Sequence, residues 1–76
     1  MFDANTYDAW GNTPLHIAAC RGLLPLVVWL CEKKGAMITV LNKQDMCPVD
    51  LANANGHDDV VQYLIGRSKL IGTKRN

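Results

Sequence analysis

Residues 13–31, TPLHIAACRGLLPLVVWLC, and residues 47–65, CPVDLANANGHDDVVQYLI, are two copies of one pattern in a chain of 76 residues. The copies are offset by 34 residues (47 − 13). Each copy has a proline, a short apolar-periodic stretch, a glycine and a second apolar-periodic stretch, in that order. Because a repeat of this length is one supersecondary unit that buries its apolar face against a neighbour, the pattern predicts two similar units side by side.

Each copy is predicted to fold as a pair of helices. Thr13 before Pro14 is typical of a helix start, since a threonine caps the helix and a proline in the first turn loses no hydrogen bond. Gly22 supplies the left-handed residue that ends the first helix. Pro25 is tolerated in the first turn of the second helix. In the second copy, Asp58 and Asp59 are predicted to lie at a helix start, where the helix dipole favours acids.

The apolar positions of each copy predict its core. In the first helix of copy one, the predicted core residues Leu15, Ala18 and Ala19 share one face, and the two alanines let another helix approach closely. The positions predicted to be buried in the second helices are Leu26, Val27, Trp29 and Leu30 in the first copy and Val60, Val61, Leu64 and Ile65 in the second. An extended, hairpin-like excursion is predicted before each copy, at residues 3–12 before the first and at residues 35–42 before the second.

Several short motifs resemble those of the ankyrin repeat family. The matching residues are Thr13-Pro14-Leu15-His16, Ala18-Ala19, Gly22, Gly35-Ala36 and Asn55-Gly56-His57. The resemblance covers about residues 3–65 and implies an all-α fold with short β-hairpin excursions, an ankyrin-repeat solenoid of two helix-turn-helix repeats. It also implies that His16 forms hydrogen bonds within and between the repeats. The second copy departs from the family, with Cys47 for the capping threonine and Asp50 for the histidine.

The resemblance divides the chain into three parts. Residues 1–34 are the first ankyrin-like repeat, residues 35–66 the second, and residues 67–76 a basic C-terminal tail or partial cap. Asp45 stands where the family has a turn glycine, so we expect the second turn to be tighter or more strained than the family norm.

Composition excludes several classes of function. Hydrophobic residues make up 49% and charged residues 20%, which is typical of a folded domain. The sole serine, Ser68, lies in the basic tail, and no glycine-rich phosphate-binding run is present. A thiolate–imidazole pair of Cys20 and His16 would suit nucleophilic catalysis, but the resemblance gives His16 a structural role. Cysteines and histidines lack the close spacing of zinc sites. We therefore expect no enzymatic activity, metal, cofactor or small-molecule substrate.

The charge is unevenly distributed. Residues 1–65 hold seven acids and four bases (4 − 7 = −3), whereas residues 66–76 hold four bases and no acid (+4). The basic tail is more typical of a solvated C-terminal segment than of a nucleic-acid or acidic-membrane site, although contact with either remains an alternative. In a further alternative, Leu70 and Ile71 of this tail pack against the open end of the second repeat and cover its apolar side chains.

The cysteines and the N-terminal sequence bear on the cellular compartment. Three cysteines without a C-x-x-C pair favour reduced, buried thiols over a disulfide. No signal peptide is recognised at the N-terminus, and the longest apolar run, residues 23–31, is too short to span a membrane. These features predict a cytoplasmic or nuclear protein without a transmembrane segment.

Binding to another protein is the predicted function. In the resembled family, partners dock on hairpin tips and on the concave surface of the first helices. The positions that correspond are Ala9, Trp10, Asn12, Cys20 and Arg21 in the first copy and Lys43, Gln44, Met46, Ala54 and Asn55 in the second. Tryptophan and arginine dominate binding hot spots, so Trp10 is the foremost candidate. Alternatively, the Trp10 side chain folds back over Tyr7 or a neighbouring hairpin.

A structural role is the alternative function. The helix predicted from Leu23 to Cys31 is apolar nearly all round, and such a helix is usually covered on more than one side. Two repeats are also fewer than the three that a stable array normally needs. On this alternative the chain is an excised segment of a larger ankyrin-containing enzyme, channel or scaffold that packs against neighbouring repeats, or it self-associates.

Overall fold

Four helices form two stacked pairs in the computed structural model, which describes residues 6–72, with side chains described over residues 6–68. The helices are α1 (Pro14–Arg21), α2 (Leu24–Lys33), α3 (Pro48–Ala54) and α4 (Asp58–Gly72). Helix α1 packs on α2 and α3 packs on α4 within the copies, while α1 meets α3 and α2 meets α4 between them. The predicted side-by-side stacking of two helix pairs is therefore confirmed.

Local sequence sets both ends of α1 as predicted. The Thr13 hydroxyl accepts a hydrogen bond from the His16 N–H at 3.3 Å, and Pro14 occupies the first turn. Gly22 adopts φ 71° and ψ 27°, and its N–H reaches the carbonyls of Ala18 and Ala19. A left-handed residue at this place satisfies carbonyls that the helix itself leaves free.

The second pair begins at a cap of different chemistry. The Asp50 carboxylate accepts hydrogen bonds from the Cys47 N–H at 3.1 Å and from the Cys47 thiol at 3.2 Å. The carboxylate thus replaces the histidine of the first copy in returning to the capping residue. Its partners, the backbone N–H first and the thiol second, hold the pKa of Asp50 below its ordinary value.

The core lies between the helix pairs. Its fully or nearly fully buried residues are Leu15, Ala18, Ala19, Val27, Leu30, Cys31, Ala52, Val60 and Leu64. The assignment of Trp29 and Leu26 to the core is wrong, because their side chains are 42% and 40% exposed on the outer side of α2. Ile65 is likewise exposed, by 39%, on α4. These positions are apolar but lie outside the packed core, and the Lys34 ammonium lies over the Trp29 ring, 5.3 Å from its centroid.

The thiols are not all buried. The cysteines are free, but only Cys31 is buried, while Cys20 and Cys47 are half-buried. The expectation that all of them are buried small apolar residues is wrong for these two. Cys20 lies in the last turn of α1 and Cys47 is the capping residue of α3, so both lie at helix ends rather than in the middle of the core.

Turns rather than strands precede the helix pairs. Within residues 6–72 no strand is formed, so the excursions expected to resemble β-hairpins are hydrogen-bonded turns. Asp8 Oδ1 accepts from the N–H groups of Trp10 and Asn12, each at 2.9 Å. Asn42 makes the same turn in the second copy. Asp45 has φ 61°, which confirms the strained second turn.

The C-terminal segment continues helix α4. Arg67, expected in the basic tail, lies within this helix, and its guanidinium donates to the Cys31 carbonyl at 3.3 Å. Residues 73–76, which include Lys74 and Arg75, lie outside the described residues, as do the side chains of residues 69–72 and residues 3–5 of the first excursion. The nucleic-acid and membrane alternatives for the tail stay predictions.

Candidate protein-binding surface

The two turns lie on one edge of the molecule. The Lys43 N–H donates to the Trp10 carbonyl at 2.9 Å, and the Asn42 amide donates to Asn12 Oδ1 at 2.8 Å. These bonds join residues about one repeat apart in the chain, so they fix the turns side by side. The expectation that the turns share an edge is confirmed.

A buried histidine locks this edge to the helices. His16 is fully buried, its Nδ1 accepts from the Thr13 N–H at 3.1 Å, and its Nε2 lies 2.9 Å from the Met46 carbonyl. Since a carbonyl can only accept, Nε2 must carry the proton and donate it to Met46. The predicted hydrogen bonding of His16 within and between the repeats is confirmed.

Trp10 projects from this fixed edge. Its side chain is 66% exposed, while its N–H donates to Asp8 and its carbonyl accepts from Lys43. Tyr7 is 74% exposed, so the alternative in which the indole folds back to bury itself over Tyr7 is wrong. A large aromatic group on an anchored backbone loses little conformational freedom when a partner covers it.

A groove of about 300 Å³ follows the surface from the turns to the first helices. Ile17 and Leu51, at equivalent positions of α1 and α3, give it apolar walls, and the Arg21 guanidinium gives it a positive charge. The remaining lining residues are Asn12, His16, Cys20, Asn42 and Gln44. The groove thus has a mixed lining, in which two large apolar side chains lie among polar groups that can hydrogen-bond to another molecule.

Comparison with known proteins identifies the family. The family model described as "Ankyrin repeats (3 copies)" matches residues 1–74. The chain belongs to the ankyrin repeat family. The described residues hold two of its helix pairs. Ankyrin repeats are generally protein-interaction modules.

Curated relatives carry the same repeat. The chain is 35% identical over 74 residues to the Notch-regulated ankyrin repeat-containing protein of Xenopus tropicalis, covering 97% of this chain and 64% of the relative. The Danio rerio protein A of the same name is 37% identical over 68 residues, covering 90% and 60%. Alpha-latrocrustotoxin-Lt1a of Latrodectus tredecimguttatus is 36% identical over 64 residues, covering 84% and 4%. The chain thus spans less than two thirds of the length of these relatives.

The ankyrin repeat pair places every predicted binding residue at least partly in solvent. Ala9, Trp10, Arg21, Lys43, Gln44, Ala54 and Asn55 are exposed, whereas Asn12, Cys20 and Met46 are half-buried. Asn55 Nδ2 lies 3.5 Å from Cys20 Sγ, so the ends of α1 and α3 adjoin. The structure brings Asn12, Cys20, Arg21 and Gln44 together in the groove.

Sequence reasoning missed the apolar walls of the groove. Ile17 and Leu51 occupy equivalent positions of the two copies, 34 residues apart, but the repeat pattern alone gives them no role at the surface. The sequence did contain a signal for these residues. Each is a large apolar residue that directly precedes a small buried alanine, Ala18 or Ala52. Asn42 was also missed, although an asparagine before a turn commonly holds it through side-chain hydrogen bonds.

The thiols and imidazoles are poorly arranged for catalysis. Both ring nitrogens of His16 are occupied, and His57 Nε2 lies 3.0 Å from the Cys20 carbonyl, to which it donates. Burial raises the pKa of the Cys31 and Cys47 thiols, which lowers the fraction of reactive thiolate. Among residues 6–68 no three metal-ligating side chains come together.

No helix within the described residues has the length and apolar character that a membrane span requires.

Proposed function

We propose that the chain is a non-catalytic module that binds another protein through its tip-and-groove surface. This surface consists of the exposed turns at Trp10 and Lys43 and the groove between α1 and α3. Trp10 inserts into the partner, and the groove accepts a side chain of the partner against Ile17 and Leu51. Arg21 at the groove favours a partner with an acidic group near that side chain.

The exposed indole on a fixed backbone carries this proposal. Tryptophan is enriched among residues whose truncation costs the most binding energy. The hydrogen bonds of Trp10 to Asp8 and Lys43 hold its backbone in place before binding. Preorganisation of this kind lowers the entropy lost on association.

Truncation of the indole tests the proposal. Proteins captured from a cell lysate on the immobilised wild-type chain would be purified, and the Kd of each would be measured against wild type, Trp10→Ala and Tyr7→Ala. We expect Trp10→Ala to cost about 2 kcal/mol, or roughly 30-fold in Kd, since a hot-spot residue loses its contacts. Tyr7→Ala is the matched control, because it removes an equally exposed aromatic group beside the same turn.

The melting temperature separates a binding role from a structural one. Trp10 is largely exposed, so Trp10→Ala is expected to leave Tm close to that of wild type. A large fall in Tm with unchanged affinity would show that the indole supports the fold instead. Equal Kd values for wild type and Trp10→Ala with every purified partner would refute the proposed surface.

A further inference from the structure

Asn55 and Gly56 connect α3 to α4, and the order of these two residue types is unique in the sequence. Of the asparagines in the chain, Asn55 alone precedes a glycine. A glycine has no Cβ, so it neither shields its own nitrogen nor restricts the rotation that brings this nitrogen to the preceding side chain. Both residues are exposed, so water reaches the atoms of this pair.

The equivalent turn of the first copy differs in chemistry and in surroundings. The residues 34 positions earlier are Arg21 and Gly22, so that turn has no side-chain amide before its glycine. A Cβ placed on Gly22 would lie 2.5 Å from the His57 imidazole, whereas a Cβ on Gly56 would meet nothing within 4 Å. An amide beside an open glycine is therefore a feature of the second copy.

Hydrogen bonds hold both nitrogens of this pair in the folded chain. The Asn55 side-chain amide donates to the Leu51 carbonyl at 2.8 Å, and the Gly56 N–H donates to the Asn53 carbonyl at 3.1 Å. Asn55 has φ −104° and ψ 8° as the residue that caps α3. Attack of the Gly56 nitrogen on the side-chain carbon requires rotation away from this ψ, because φ and ψ are the only soft torsions of the main chain. The turn must therefore open before the pair can react.

The next residue ties this turn to the first copy. His57 donates its Nε2 proton to the Cys20 carbonyl at 3.0 Å, and its N–H donates to the Ala52 carbonyl at 2.9 Å. The buried residues of α3 are Pro48 and Ala52, so the last turn of this helix adds little apolar packing. Segments of this kind open at free energies below that of global unfolding. The population of the open turn therefore depends on His57.

We propose that Asn55 is a site of spontaneous deamidation, with water as the second reactant and opening of the turn at residues 55–57 as the controlling step. The Gly56 nitrogen attacks Cγ of Asn55 and closes a succinimide ring, and the side-chain nitrogen leaves as ammonia with the proton that the Gly56 nitrogen gives up. Water then hydrolyses the ring. Cleavage of the bond from nitrogen to Cγ gives aspartate, and cleavage of the bond from nitrogen to the main-chain carbonyl carbon gives isoaspartate. Neither step needs an oxidant or a reductant.

The product cannot hold the end of α3 as the amide does. A carboxylate has no hydrogen to donate, so the Leu51 carbonyl loses its 2.8 Å partner. The new negative charge lies beside the last carbonyls of α3, where the helix dipole disfavours an anion. Isoaspartate also lengthens the main chain by one carbon before His57, which shifts the imidazole from the Cys20 carbonyl. Deamidation thus loosens the turn that controls it, and the change is irreversible.

Peptide mapping by mass spectrometry measures the reaction at each asparagine. The 76-residue chain would be incubated in neutral buffer at body temperature, and isoaspartate would be quantified with protein L-isoaspartyl methyltransferase and labelled S-adenosylmethionine. We expect Asn55 to react at least about tenfold faster than Asn12, Asn42 or Asn53, because none of those precedes a glycine. A free peptide with the sequence of residues 51–59 is expected to react at least about tenfold faster than the folded chain, since it lacks the hydrogen-bonded turn.

Two variants, checked for folding by circular dichroism, test control by the turn. His57→Ala removes the hydrogen bond to the Cys20 carbonyl and is expected to speed deamidation about fivefold, because one bond fewer opposes opening. Tyr63→Phe is the matched control, since it removes another bond between the copies, from the hydroxyl to Glu32, that lies outside the turn. Its rate is expected to stay within about twofold of wild type. Should His57→Ala fail to fold, the comparison with the free peptide still tests this control.

Thermal melts test the effect of the product. Asn55→Asp introduces the same carboxylate and is expected to lower Tm by about 4–8 °C, because the Leu51 carbonyl loses a donor. Asn53→Asp is the matched control, since it adds the same charge to the same helix at an exposed side chain that does not hold this carbonyl. Its Tm is expected to lie within about 3 °C of wild type.

Each part of the proposal has a result that would overturn it. Equal rates at Asn55 and Asn53 would remove the site. Equal rates in the folded chain and the free peptide, or a slower reaction in His57→Ala, would overturn control by the turn. Equal losses of Tm in Asn55→Asp and Asn53→Asp would overturn the loosening of α3. None of these measurements uses a binding partner, so the tip-and-groove proposal is tested separately.

Discussion

Gly22→Ala and Gly56→Ala are the same substitution at equivalent positions of the two copies, yet their surroundings differ. Both glycines have a left-handed backbone, with φ 71° at Gly22 and 75° at Gly56. A Cβ placed on Gly22 would lie 2.5 Å from Nδ1 of the His57 imidazole, whereas a Cβ on Gly56 meets nothing within 4 Å. The pair therefore separates the cost of the backbone conformation from the cost of crowding between the repeats.

The expected magnitudes follow from these two terms. An alanine held in the left-handed region costs about 1–2 kcal/mol at either position. At Gly22 the imidazole must also move, which breaks its 3.0 Å hydrogen bond to the Cys20 carbonyl. Loss of that bond costs about 1 kcal/mol, and displacement of the packed ring about 1–3 kcal/mol more. We expect a total of about 3–6 kcal/mol for Gly22→Ala and about 1–2 kcal/mol for Gly56→Ala.

Urea unfolding followed by circular dichroism measures both losses, and thermal melts report them as Tm shifts of roughly 4–8 °C per kcal/mol. A double-mutant cycle with His57→Ala isolates the crowding. Gly22→Ala should cost much less in the His57→Ala background than in wild type, because no imidazole opposes the new methyl group. Losses for the two glycine variants that agree within about 0.5 kcal/mol would refute the reasoning.

Two further predictions concern the second turn and the second cap. Asp45 has φ 61°, so Asp45→Gly is expected to raise the free energy of unfolding by up to about 1 kcal/mol, as measured by urea titration. Gln44→Gly is the control. An equal rise in the free energy of unfolding for Gln44→Gly would contradict the role of the backbone angle at Asp45. The pKa of Asp50 is lowered in the folded chain by its hydrogen bonds from Cys47. Stability from this carboxylate is present above its unfolded pKa, near 4, and is lost as the pH falls through the lower folded value. Unfolding titrations between about pH 6 and pH 2 should therefore show that the free energy of unfolding falls at acid pH, and that it falls less in Asp50→Asn than in wild type. Identical pH profiles for the two proteins would contradict the stabilising role of the Asp50 cap.

The local features could be predicted because each depends on a few neighbouring residues. Thr13 and Pro14 favour a helix start and Gly22 favours a helix end, because capping geometry is satisfied within a single turn. The 34-residue offset then predicted two similar helix pairs. The family followed from the same motifs, and the match over residues 1–74 agrees with it.

Parts of the candidate surface could be predicted in the same way. Trp10 and Lys43 lie in turns, and turns generally lie at the surface. Their role in binding stays a proposal. Ile17 and Leu51 were not predicted to act together, because the groove exists only once α1 and α3 are side by side.

The sequence by itself determined the starts of the helices, the end of α1 at Gly22 and the left-handed positions Gly22 and Asp45, because these depend on interactions over a few bonds or one helical turn. The end of α4 was not determined in this way, since the helix continues through Arg67. Only the tertiary structure decided which side of α2 is covered. That helix is apolar on nearly all sides, so its pattern does not distinguish Val27, which is buried, from Trp29, which is exposed. Burial depends on which element lies opposite, and within the described residues α1 and α4 pack on α2 from the side that holds Val27.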